Sequence, residues 1–211
     1  MRAGRALCVS AGAAIRNAAA TDAAVIEAID RSLEDAVARV MDAKPNAFIL
    51  GISALSVWGG TIEWGEELKR RVRKVAGRDI PVTIASDAVV AGLKAHGIKR
   101  KIAIMEPYYP CIEPRLNAVL GAHGYEVVRY CHMRGKSPAS YSVLTAQDMI
   151  KAARSIDGPD VEAIVAFGAN LPFAKLADEA ERWLDKPVLQ INATTYWHAL
   201  RSNGIADKIY G

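Results

Sequence analysis

The chain has 211 residues, 51% of them hydrophobic and 24% charged, with a formal net charge of +4; that length buries a sizeable core and suits one two-lobed unit or two small domains. No apolar run is long enough to cross a bilayer and no basic-then-apolar leader opens the sequence, so a cytoplasmic protein with no membrane partner is expected. Cys8, Cys111 and Cys131 have no paired spacing, which argues against a disulfide framework or structural zinc and leaves free thiols.

Short runs rich in Val and Ile alternate with stretches of 3.6-residue periodicity, the pattern of parallel sheet covered by helices. In chain order the predicted strands are RALCVSA (5–11), AFILG (47–51), PVTIA (81–85), KIAIM (101–105), YEVVRY (125–130), EAIVAF (162–167) and PVLQI (187–191). The clearest helix is 21–43, capped by Thr21 or Asp22, with Val25, Ile29, Leu33, Val37 and Val40 as its buried stripe. The segment EELKRRVRKVAGR (66–78) opens with acids and ends with bases, as a solvated helix does when it complements its own dipole. No aromatic-interleaved basic patch accompanies it, so nucleic acid is not an expected partner.

The sequence also repeats itself. PVTIASDAVVAGLKAHGI, from Pro81, echoes PVLQINATTYWHALRSNGI, from Pro187, with one extra residue near Asn192. AFILGISAL, from Ala47, likewise echoes AIVAFGANL, from Ala163. The fold expected is α/β, with two pseudo-symmetric doubly wound parallel-sheet lobes. Residues 1–98 make the N-terminal lobe, with the C-terminal helix 193–211 packing back on it, and residues 99–192 make the C-terminal lobe. The second half holds four βα units and the first only three, so the first lobe lacks its opening βα unit; further sequence upstream of Met1, or a truncated form, is the expectation.

In open parallel sheets ligands bind beyond the carboxyl ends of the strands. Three strand ends carry suitable residues: Gly51, Ile52 and Ser53; Gly168, Ala169 and Asn170; and Glu106, Pro107, Tyr108 and Tyr109. A glycine lets a ligand approach backbone N–H groups, and the neighbouring Ser or Asn adds a directed hydrogen bond; a carboxylate or developing enolate suits such a nest. Each position also has a structural reading. The glycines serve tight turns, Tyr108 packs as a half-buried aromatic, and Glu106 sits as a carboxylate at a helix start. His96 and His123 precede glycines at helix ends, and His132 and His198 lack the spacing of a triad or metal set. With no Gly-rich nucleotide loop and no metal motif, no cofactor and no metal are expected.

The segments GISALSVWGG (from Gly51), IPVTIASDAVVAGLKAHGIKR (from Ile80), IAIMEPYYPCIEPRLNAVLGAHGYEVV (from Ile102) and FGANLPFAKLADEAERWLDKPVLQINATTYWHALRSNGI (from Phe167) resemble the aspartate/glutamate racemase superfamily, and within it the maleate cis-trans isomerase and arylmalonate decarboxylase branch. The resemblance implies two lobes with the active site in the cleft between them, and cofactor-independent lyase or isomerase chemistry on a small carboxylic or dicarboxylic acid through an enolate-like or cysteine-adduct intermediate. It places the family's paired cysteines at Gly51 and Gly168, so two-cysteine racemisation is not expected here. Ser53 matches a serine of the first-lobe loop, and Tyr108 the tyrosine of a Thr-Pro-Tyr motif in which Glu106 replaces threonine. The expected catalytic residues are Tyr108, Glu106 and Ser53, and the expected substrate-binding residues Gly51, Ile52, Gly168, Ala169, Asn170 and Asn192. Glu106 carries the proton if apolar walls raise its pKa, and Cys111 is a second candidate whose structural reading is a packed thiol. From another class, the alternative is a non-catalytic or degenerate carboxylate-binding protein; a third reading takes the catalytic residue from the missing N-terminal unit. The apolar surface of helices such as 193–203 points to a homo-oligomer.

Overall fold

The computed structural model describes residues 22–108, 110–133 and 142–208. The predicted strand 5–11, the Thr21 cap and Tyr109 lie outside the described residues. Where one helix was expected over 21–43 there are two, α1 (Asp22–Arg31) and α2 (Leu33–Met41). Ser32 makes the break: its backbone N–H and its hydroxyl both donate to the Ile29 carbonyl, at 3.1 and 2.9 Å, and close a three-residue turn in place of the next helical bond. The apolar stripe survives the break, with Val25, Leu33 and Val37 buried and Ile29 and Val40 packed against the core.

Among the described residues, β1 (Phe48–Leu50) and β2 (Val82–Ile84) form a two-stranded parallel sheet. β3 (Lys101–Glu106), β4 (Glu126–His132), β5 (Ala163–Ala166) and β6 (Val188–Gln190) form a second parallel sheet in the order β4-β3-β5-β6. The repeat is reproduced down to its register. Phe48, Ile49 and Leu50 pair with Val82, Thr83 and Ile84, as Ile164, Val165 and Ala166 pair with Val188, Leu189 and Gln190. The following helices, α5 (Ala85–Ala95) and α9 (Ile191–Ser202), end alike. Gly97 and Gly204 take φ of 70° and 73°, and the next N–H returns to Leu93 O at 3.0 Å and Leu200 O at 2.9 Å; such a left-handed cap favours glycine.

α5 and α9 pack on each other, and α9 also reaches β1 and β2 of the first sheet. The close approach depends on Gly92, where a Cβ would come within 2.7 Å of Leu189 Cδ2 and 3.0 Å of Thr194 Cγ2. α4 (Ile62–Ala76) is the basic helix. It is less solvated than its charge pattern suggests: Arg71 reaches α1 and α2 through Asp30 and Glu34, at 2.5 and 2.6 Å, and Lys69 reaches Asp87 of α5 at 2.9 Å. No helix among the described residues is long and apolar enough to cross a membrane.

Glu162 anchors the entry to β3. Its carboxylate accepts the N–H groups of Lys99, Arg100 and Lys101 at 2.8, 2.9 and 2.8 Å, and these bonds hold its pKa below the usual carboxylate range. A depressed carboxyl pKa contributes stability above the unfolded-state value, and the contribution is lost as pH falls through the folded-state value. Glu162→Gln should therefore be less stable than the parent in urea near neutral pH, and the two should converge as pH falls through the depressed Glu162 value, below the usual carboxylate range.

Candidate active site

The carboxyl ends of β1, β3 and β5 meet. β1 leads through Gly51 and Ile52 into α3 (Ser53–Ser56), a single buried turn. Ser53 Oγ lies 3.5 Å from the hydroxyl of Tyr108, which follows β3, and both residues are buried. Pro107 abuts Gly168, which follows β5: a Cβ on Gly168 would stand 2.8 Å from Pro107 Cδ and 2.8 Å from Leu171 Cγ. Asn192, in the first turn of α9, donates its amide to Ala169 O at 2.8 Å. Ser53 and Tyr108 are thus joined by their hydroxyls, Gly168 reaches them through Pro107, and Ala169 is tied to Asn192. Gly51 and Asn170 are exposed, and Ile52 is half-buried.

Residues the sequence reading did not single out pin this loop. Ser56 Oγ donates to Ser53 O at 2.6 Å and accepts the N–H of Ser86, in the first turn of α5, at 3.1 Å. Arg115 donates to Trp58 O at 2.7 Å and to Cys111 O at 2.5 Å, with its guanidinium 4.0 Å from the Trp58 ring centre. It therefore ties the loop after β1 to the loop after β3, and restrains both Ser53 and Tyr108.

Glu106, the last residue of β3, is fully enclosed. One carboxyl oxygen accepts the Tyr108 N–H, and the other lies 2.6 Å from His132 Nδ1. The parallel register pairs Glu106 with His132 across β3 and β4. On its far side the imidazole has Glu113 of α6 (Glu113–Ala122), 3.4 Å from Nε2. Burial pushes the Glu106 carboxyl above the usual range, and His132 and the Tyr108 N–H offset part of that rise. His132 had no sequence spacing to recommend it; the signal is a strand register, which appears only when KIAIME is laid against EVVRYCH.

The other candidates have structural places. His96 and His123 occupy the C-cap positions of α5 and α6, and burial pulls the His198 imidazole below its usual range. Cys111, partly buried, donates its thiol to Tyr108 O at 3.1 Å. Among the described residues no group of three or more His, Cys, Asp and Glu side chains is placed to hold a metal ion.

Residues 10–211 match the family model described as arylmalonate decarboxylase. The chain belongs to the arylmalonate decarboxylase family. Among curated proteins it is 24% identical over 189 residues to the maleate isomerase of Nocardia farcinica, covering 88% of this chain and 75% of that one. Among solved structures, Nocardia farcinica maleate cis-trans isomerase with a covalently bound succinylcysteine intermediate superposes with a TM-score of 0.79, at 23% identity over 85% of this chain and 74% of that chain. An arylmalonate decarboxylase crystal structure gives 0.74, at 22% identity over 88% and 78%. Maleate isomerase from Pseudomonas putida with maleate gives 0.77, at 18% identity over 85% and 73%.

The family is one of lyases and isomerases, and its α/β fold of parallel sheets is the fold found here. Within this arylmalonate decarboxylase family chain the two glycines of the repeat are not equivalent. Among the described residues, a Cβ on Gly51 meets nothing within 4 Å, whereas one on Gly168 runs into Leu171 and Pro107. Against those residues the first position has room for a side chain and the second has none.

Proposed function

We propose that the chain is a cofactor-independent decarboxylase or isomerase of a small carboxylic or dicarboxylic acid, and that decarboxylation is its reaction. In this reading residues 1–98, joined by the helix from 193, and residues 99–192 form the two lobes, and the acid sits in the cleft between them. The observation that carries the reading is the Ser53 and Tyr108 hydroxyl pair, brought to 3.5 Å from two strand ends beside the Gly168 backbone. Hydroxyl and N–H donors fixed in a water-poor pocket stabilise charge that develops on a carboxyl oxygen.

The C–C bond to one carboxylate breaks, its electron pair passes to the α-carbon as an enolate held by the Ser53 and Tyr108 hydroxyls, and carbon dioxide leaves. Backbone N–H groups of Gly51, Ile52, Gly168, Ala169 and Asn170 hold the remaining carboxylate, while Asn192 fixes the Ala169 turn. Glu106 supplies the one proton the α-carbon needs, its carboxyl being biased toward the neutral acid by burial. Delivery requires the Tyr108 N–H contact to open as the acid binds. Racemisation needs acids on two faces, and cis-trans isomerisation through a cysteine adduct needs a nucleophile. Glycine at positions 51 and 168 supplies neither, whereas decarboxylation needs a single proton.

The enclosed Glu106 carboxyl and the closed space at Gly168 favour a second reading, a carboxylate-binding protein of the same fold without turnover. A panel of substituted malonates, maleate and amino acids separates the two, assayed for carbon dioxide release and by calorimetry. Release from a malonate supports the decarboxylase; saturable binding with neither release nor isomerisation supports the binder.

A further inference from the structure

Glu106, Glu113 and His132 converge from β3, α6 and β4 to form a line from the interior to the surface. The Glu106 side chain is 0% exposed, His132 30% and Glu113 32%, with 2.6 Å between Glu106 and His132 and 3.4 Å between His132 and Glu113. The imidazole is held flat by the Tyr130 ring, at 5.5 Å between centroids and 16° between planes. Tyr130 is in turn fixed by a hydroxyl bond of 2.7 Å to Asn117 Oδ1. A buried carboxyl with both oxygens engaged has no direct exchange with water, and among the described residues the imidazole is the titrating group that touches both it and the partly exposed side.

We propose that His132 is a positioning residue that connects the buried Glu106 carboxyl to solvent, with Glu113 placed beside the outer ring nitrogen. The inference rests on the reading in which Glu106 supplies the proton. In each turnover Glu106 gives one proton to the substrate carbon and is left as carboxylate. The imidazolium passes one proton to Glu106 Oε1, and the neutral ring takes the next from water, so one proton enters for each one consumed. No electrons are exchanged, and the substrate cleft need not open to bulk water for the site to reset.

Among the described residues, the groups facing the imidazole include Glu106 from β3, Glu113 from α6 and Tyr130 from β4 itself, whose phenol is pushed far up by burial and stays neutral. α7 (Ala146–Ser155), the other helix packed on β4, buries Met149, Ala152 and Ala153. Its Asp148 is committed to the Thr145 cap, its Arg154 lies over Trp183, and its Lys151 is exposed.

Imidazole nitrogen NMR of the full chain tests the array without requiring turnover. In Glu106→Gln the His132 Nδ1 resonance should move, and in Glu113→Gln the Nε2 resonance, because each ring nitrogen loses the carboxylate placed beside it. Ring resonances equal to the parent in both variants overturn the proposal. The kinetic arm uses whichever malonate the parent decarboxylates. His132→Gln, which keeps a donor toward Glu106 but carries no proton, should lower kcat at least tenfold at unchanged KM, and imidazole added to the buffer should restore kcat. An undiminished kcat overturns the connection, as does a lowered kcat that imidazole leaves unrestored. A parent that turns over no acid removes the proposed decarboxylation, while the ring-nitrogen resonances still decide whether the three groups form one array.

Discussion

Tyr108→Phe is expected to lower kcat/KM for decarboxylation by roughly 100- to 1,000-fold, the usual effect of removing one donor aimed at a developing oxyanion. The substitution keeps the ring and its packing. Tyr108 is 9% exposed, and among the described residues its hydroxyl lies 3.5 Å from Ser53 Oγ. Loss of that bond should change stability by about 1 kcal/mol, the net value of a typical hydrogen bond. Enclosure of the backbone by Glu106 and of the loop by Arg115 keeps the phenylalanine ring where the tyrosine was. A Phe variant as active as the parent would remove Tyr108, and with it the Ser53 pair, from the chemistry.

Thiols placed at the two glycines of the repeat should behave in opposite ways. At Gly168 the new Cβ would lie 2.8 Å from Leu171 Cγ, 2.9 Å from Leu171 Cδ1 and 2.8 Å from Pro107 Cδ. The leucine can rotate, but the proline ring is rigid and sits between Glu106 and Tyr108, so the strain passes into the loop that carries both. Overpacking of this kind costs about 1–3 kcal/mol, and in a chain of this size each kcal/mol lowers Tm by about 2–4 °C. Gly168→Cys should melt several degrees early. Among the described residues, the new Cβ of Gly51→Cys meets nothing within 4 Å, and this variant should stay within about 0.5 kcal/mol of the parent. Its thiol should react with an added disulfide reagent in the folded state. A Gly168→Cys protein as stable as the parent would contradict the closed geometry assigned to that strand end.

Much of the fold was legible because it depends on short-range pattern. Each Val/Ile run from 47 onward became a strand, and the two halves of the repeat became equivalent down to their paired residues and their glycine caps. The resemblance led to the family that the model match supports over residues 10–211. The break at Ser32 was missed because apolar periodicity continues straight through it and only a local side-chain bond decides the turn. His132 was set aside for the opposite reason. Its partner is 26 positions away and meets it only through the β3 and β4 register, which no spacing within one segment displays. The closed space at Gly168 is also tertiary, since Pro107 belongs to a different strand end.

Stabilisation by the Ser53 and Tyr108 side chains of an enolate formed by decarboxylation, with protonation by Glu106, is tested by incubating the full chain with substituted malonates in heavy water and following carbon dioxide release and deuterium content together. At least one malonate should release one carbon dioxide and gain one deuterium at the α-carbon, with the rate falling in Tyr108→Phe. Saturable binding of malonates with neither release nor deuterium uptake would contradict that chemistry.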